Sequence, residues 1–294
     1  MKKRISVIAI AVLAILLTAC SSTADFKYYD EFAKQNEAVK TTMTLVPSDH
    51  ECMAINPVQA TFVDELLGYF LEVKATLREE FGTIKTLDWE RFEAADLYLC
   101  DDFSGTAQGS NGFFDSFDGK VYFRRSIALR GEQVIKELFC HELIHSLTSR
   151  PGEATTLLHE GLTEYVAQNI YPAPEVSAYY FPQQFAYVYV EACGVEDALS
   201  LFATDNAADQ VGQAIGRPNA IYTIEPLLEA TSMGYFEDEH IKVIIDVLAH
   251  YSNAMGVDPG MIEYLNEINY QGSRDKGFYN YIKGVVESRK EVIQ

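Results

Sequence analysis

Positive charge is scarce in this sequence. Its 294 residues carry 23 Lys and Arg against 43 Asp and Glu, a formal net charge of −20. Binding a phosphate backbone needs clustered cations, so nucleic acid is excluded as a partner. Cysteine is sparse as well: Cys20, Cys52, Cys100, Cys140 and Cys193 are widely spaced and form no CxxC pair, so no disulfide framework can be read. Low-complexity tracts and internal repeats are absent. After residue 20 no apolar stretch approaches the roughly 20 residues that cross a bilayer. The longest are short and broken by charge, as Asp246 breaks residues 243–249. What is present in quantity is apolar and aromatic surface, 48% and 12% of the chain, enough to bury a sizeable core.

The one long apolar run stands at the start. Lys2, Lys3 and Arg4 precede an almost unbroken apolar stretch over residues 5–17. Its length suits an export signal better than a membrane span. It ends in Leu17, Thr18, Ala19 and Cys20, which resembles the bacterial lipoprotein box. The resemblance implies cleavage after residue 19, lipid attachment to Cys20, and a chain held at a membrane on the extracytoplasmic side. Removal of the signal leaves 20 cations against 43 acids, a net charge of −23, with residues 20–30 as a short tether.

Periodicity changes along the chain. Residues 60–81 recur apolar at helical spacing and stop at Gly82. Residues 96–100 read as a strand, and residues 113–125 as a hairpin turning at Asp118 and Gly119. Its second arm, residues 120–125, is an expected edge strand that could pair with an extended peptide. From Val134 to Leu147 the pattern is helical and apolar nearly all round, so this helix belongs in the interior. A break at Arg150, Pro151 and Gly152 precedes a second helix over residues 157–170, with Thr155 or Thr156 as its cap. Beyond Pro174 helices are expected over residues 183–193, 225–231, 237–254, 259–269 and 277–292. Strands early and helices late give an α+β fold: a small mixed or antiparallel sheet with site-bearing helices over 31–170, then a mainly helical region over 171–294.

The interior helix carries Glu137, His141, Glu142 and His145, groups that are costly to bury without partners or metal. His141 and His145 lie one turn apart, with Cβ atoms about 5–6 Å apart. That spacing suits two nitrogens reaching one Zn²⁺ at about 2.0–2.1 Å. Glu142 is rotated by about 100° and can reach a water on the metal without being a ligand. A catalytic zinc takes three protein ligands, and the next helix offers His159, Glu160 and Glu164.

HELIH over residues 141–145 followed by HEGLTEYVA from residue 159 resembles the gluzincin metallopeptidases. The resemblance covers residues 120–195. It implies a zincin-like domain, with His141, His145 and Glu160 as zinc ligands, Glu142 as general base and Glu164 as a carboxylate orienting a ligand imidazole. Three features depart from the family. Fourteen residues separate His145 from Glu160, fewer than in the best-known members. His159 replaces the usual Asn and is an alternative third ligand. No GxMEN segment precedes the helix, which points to an endopeptidase. Tyr180 matches the family's oxyanion-stabilising tyrosine, with Tyr179 and Tyr187 as alternatives. Cys140 is expected in the core, and His50, His240 and His250 in surface or packing roles. The implied function is zinc-dependent hydrolysis of a peptide or protein substrate by zinc-activated water. The rival is a lipid-anchored binding or scaffold protein on a degenerate peptidase domain.

Overall fold

The computed structural model describes residues 27–35, 53–60, 64–105, 110–148, 157–173, 179–202, 207–233 and 238–257. Cys20, the apolar run before it, His50, Cys52, Thr155, Thr156 and the two helices expected beyond residue 258 lie outside them.

The fold is α+β, largely helical, with two small sheets. Helix α1 (Lys27–Gln35) precedes β1 (Met53–Ile55) and β2 (Val58–Gln59). Helices α2 (Asp64–Phe81) and α3 (Trp89–Ala94) follow, then strands β3 (Leu97–Cys100), β4 (Asp102–Ser104), β5 (Gly112–Asp115) and β6 (Lys120–Arg124). A 3₁₀ turn, Arg125–Leu129, leads into α4 (Glu132–Thr148). The remaining helices are α5 (Leu157–Ile170), α6 (Tyr180–Cys193), α7 (Val195–Phe202), α8 (Ala207–Ala214), α9 (Ala220–Ser232) and α10 (Asp238–Met255). The short helices α3, α7 and α8 add to those expected from periodicity.

The four-stranded sheet runs β2-β3-β6-β5, and β1 pairs with β4 apart from it. The hairpin forms as expected: β5 and β6 pair antiparallel, and Gly119 at φ 72° takes the left-handed position of the turn. Its second arm is not an edge strand, however. β3 pairs with β6 in parallel, Leu97 opposite Val121 and Cys100 opposite Arg124, so β6 is interior and β5 is the edge. A hairpin pattern shows which strands are neighbours in sequence, but not which strand closes on the far side.

Leu97, Leu99, Val121 and Phe123 face the helices, where Phe123 and Phe139 meet edge to face at 5.0 Å. Helix α4 crosses behind the sheet and is buried on nearly every face, as its apolar pattern requires. One buried cluster continues from Tyr29 through the sheet and α4 to Tyr251 in α10, so the regions before and after residue 170 share a core. Helix α1 begins inside the stretch expected to be tether. It docks on α10, where the fully buried carboxylate of Asp246 accepts the Tyr28 and Tyr29 N–H groups at 3.0 and 3.1 Å. These are helix N-terminal donors that have no partner within the helix.

Candidate metal centre

Two buried helices and one close crossing build the site. α4 presents His141 and His145 one turn apart, and the first turn of α5 presents Glu160. Gly161 sits where α6 crosses: a Cβ there would lie 2.2 Å from the Pro182 carbonyl carbon, so only glycine permits this approach. The crossing delivers Tyr179, at the entrance of α6, to the ligand cluster.

The three side-chain atoms form a small triangle. His141 Nε2 and His145 Nε2 are 3.1 Å apart, and each is 3.3 Å from Glu160 Oε2. Ligands at about 2.0–2.1 Å from a tetrahedral ion stand roughly 3.3–3.4 Å from one another, so the triangle has the edge lengths of three tetrahedral positions. Two imidazole nitrogens this close, facing a carboxylate, make a donor set for a cation. His141, His145 and Glu160 could therefore hold a metal ion.

The surrounding groups prepare that donor set. Glu164 Oε2 lies 2.8 Å from His141 Nδ1 and accepts its N–H, so Nε2 is the ring nitrogen turned to the triangle. Burial pushes the His141 imidazole down, but the hydrogen bonds to Glu160 and Glu164 outweigh it and hold it well above the usual histidine value. For Glu160, burial is outweighed by the His145 charge and the bonds from both imidazoles, and its carboxyl is held well below the usual range. Three carboxyl groups, Glu142, Glu160 and Glu164, thus surround two imidazoles.

Glu142 is almost fully buried and is not one of the three convergent ligands. Burial raises its carboxyl, an effect that the His141 and His145 charges and a hydrogen bond from the Phe114 backbone N–H only partly offset. That bond ties Glu142 to β5, an edge of the sheet. His159 faces elsewhere: its ring stacks on His145 at 5.1 Å, and burial pushes it down to about 3, keeping it neutral. The carboxylate and not this imidazole closes the triangle.

Of the three tyrosines singled out in the sequence, Tyr179 is the one brought to the cluster. Its ring lies nearly parallel to His141 at 5.9 Å. Its hydroxyl hydrogen-bonds Glu160, whose negative charge, more than burial, pushes the phenol up. Tyr180 instead packs edge-on against Phe181, and Tyr187 against Tyr165. Helical periodicity starts only near residue 183, so the sequence does not reveal which of two adjacent tyrosines turns inward. Cys140 lies in the core, its thiol raised well above normal by burial. His250 Nδ1 is bonded to the Asp246 carbonyl within α10. No family model, curated protein or solved structure matches the chain.

Proposed function

We propose that the chain is a zinc-dependent hydrolase and, within that class, a peptidase of gluzincin type. The observation that carries the proposal is the triangle of His141, His145 and Glu160, with Glu142 beside it but outside it. The donor set of two nitrogens and one carboxylate is that of catalytic zinc with a position left for water. Zinc bound there supplies Lewis acidity, lowering the pKa of a water to about 7 and polarising a carbonyl. Every other role falls to the chain's own groups. Glu142 takes the proton from the attacking water and passes it to the leaving amine. Burial raises its carboxyl, which makes the carboxylate a stronger base. The Tyr179 hydroxyl, beside Glu160, is the donor that stabilises the developing oxyanion.

The edge strand supports a peptide substrate. Phe114 turns its N–H away from β6 toward Glu142, and in an antiparallel strand the carbonyl of the same residue points the same way. An extended peptide added along β5 would cross the mouth of the site, which is the mode expected of an endopeptidase. The first twenty residues support export and lipid attachment through Cys20. The deciding test is digestion of a peptide library by the full chain with and without a chelator, beside Glu142→Gln. Cleavage that requires the metal and falls by about 10²–10⁴-fold in Glu142→Gln is expected. Undiminished cleavage by the variant would refute the assigned base.

A further inference from the structure

Beyond the carboxylate that orients His141, polar contacts continue between the largely apolar helices α5 and α6. Glu164 Oε1 lies 2.9 Å from Gln168 Nε2, and Gln168 Oε1 lies 3.0 Å from Gln183 Nε2. The chain of contacts runs from α4 through α5 to α6: His141, Glu164, Gln168, Gln183. Leu162, Val166, Phe181 and Ala186 of α5 and α6 are buried in the core, and Gln183 itself is only 3% exposed. An amide placed in such surroundings is costly unless its hydrogen bonds are made.

The chemistry of the groups fixes the direction of every bond. An ionised carboxylate only accepts, so Gln168 must present its NH₂ to Glu164 and turn its carbonyl oxygen to Gln183. Gln183 must then present its own NH₂. Each donor therefore points toward Glu164, and aligned donors of this kind strengthen one another in a low dielectric. Glu164 is held as an acceptor on both oxygens, one for Gln168 and one for the His141 Nδ1–H. The rotamer of Glu164, and with it the plane of the His141 ring, is thus set from α6. The same helix governs Tyr179, because the Gln183 N–H donates to the Tyr179 carbonyl at 2.9 Å.

We propose that Gln168 and Gln183 are positioning residues for the metal site, acting on His141 through Glu164. The inference rests on the metal-site proposal above. A purely structural pair of glutamines would change the stability of the fold and leave metal affinity alone. A positioning pair changes the affinity of a chain that is still folded.

The test is zinc affinity of the metal-stripped full chain, measured by competition with a chromophoric chelator at fixed pH. Wild type is compared with Gln168→Met, Gln168→Glu and Gln183→Met, and melting of each metal-free chain is recorded in parallel. Gln168→Met, which keeps the shape and removes the donor, should weaken zinc by about tenfold, the lower end for loss of an outer hydrogen-bond partner. Gln168→Glu should weaken it further, since it sets like charges one helical turn apart. Gln183→Met, two bonds from Glu164, should cost roughly threefold, with metal-free melting close to wild type. If wild type binds zinc and all three variants bind equally tightly, the positioning role is overturned while the metal site stands. If wild type itself takes up no zinc, both fall together.

Discussion

At the residue scale, His141, His145 and Glu160 bring their ligand atoms within 4.8 Å of one another. His141, Glu142 and His145 are fixed by one helical turn, and a helix apolar on all faces already required that they be paired or metal-bound. Glu160 and Glu164 are singled out by the resemblance to the gluzincin pattern, and both carboxylates meet His141. The tyrosine was not legible, because Tyr179 and Tyr180 are adjacent and the choice depends on where α6 begins and how it crosses Gly161. A pair of substitutions separates them. Tyr179→Phe should lower turnover on the order of 100-fold with zinc retained, the usual cost of one oxyanion donor. Tyr180→Phe should stay within about threefold of wild type, since that ring packs on Phe181. Steady-state kinetics with zinc content measured alongside checks both, and the reverse ranking would return the role to Tyr180.

At the element scale, what escaped the sequence is long-range. Periodicity finds α2, α4 and α5, because each carries its apolar face in one continuous segment. It cannot find the parallel pairing of β3 with β6, which makes β5 the edge beside Glu142. Nor does it reveal that a carboxylate from α9 caps the start of α5. Glu225 Oε1 accepts the Leu157 N–H at 2.6 Å, across 68 residues of chain, three positions before Glu160. Burial pushes the Glu225 carboxyl up to about 7, with the Leu157 bond opposing. A folded-state pKa above the unfolded value of 4.5 means that the folded chain holds this proton more tightly. The stability contributed is full at acidic pH and is lost as pH rises through about 7. Glu225→Gln keeps an acceptor for Leu157 and removes the titration. From pH 5 to pH 8 its stability should gain on wild type by about 2 kcal/mol, allowing for the partial exposure of the group. Urea melts at several pH values measure this, and a difference that stays constant with pH would contradict it.

At the scale of the whole molecule, buried acids on the C-terminal helices hold earlier segments in place. Asp246, which interrupts an apolar run in the sequence, earns its position by receiving the first N–H groups of α1. Arg217 reaches the same helix through Asp30 at 3.3 Å. The folded body therefore begins by Lys27, and at most about 25 Å of chain separates it from Cys20. No helix among the described residues is long and apolar enough to cross a membrane. If Cys20 carries the anchor, Cys20→Ser should move the processed chain from the membrane pellet to the soluble fraction. A net charge of −23 offers nothing to hold it at anionic headgroups. A processed variant that still pellets would count against the lipoprotein box.

The triangle of His141, His145 and Glu160 stands or falls on whether it binds a metal. Elemental analysis of the purified full chain, after exposure to zinc and removal of the excess, tests it most directly. About one zinc per chain is expected in wild type, and none in His141→Ala that remains folded by circular dichroism. A wild-type chain without zinc, or a His141→Ala chain that still carries one, would show that the triangle of His141, His145 and Glu160 is not a metal centre.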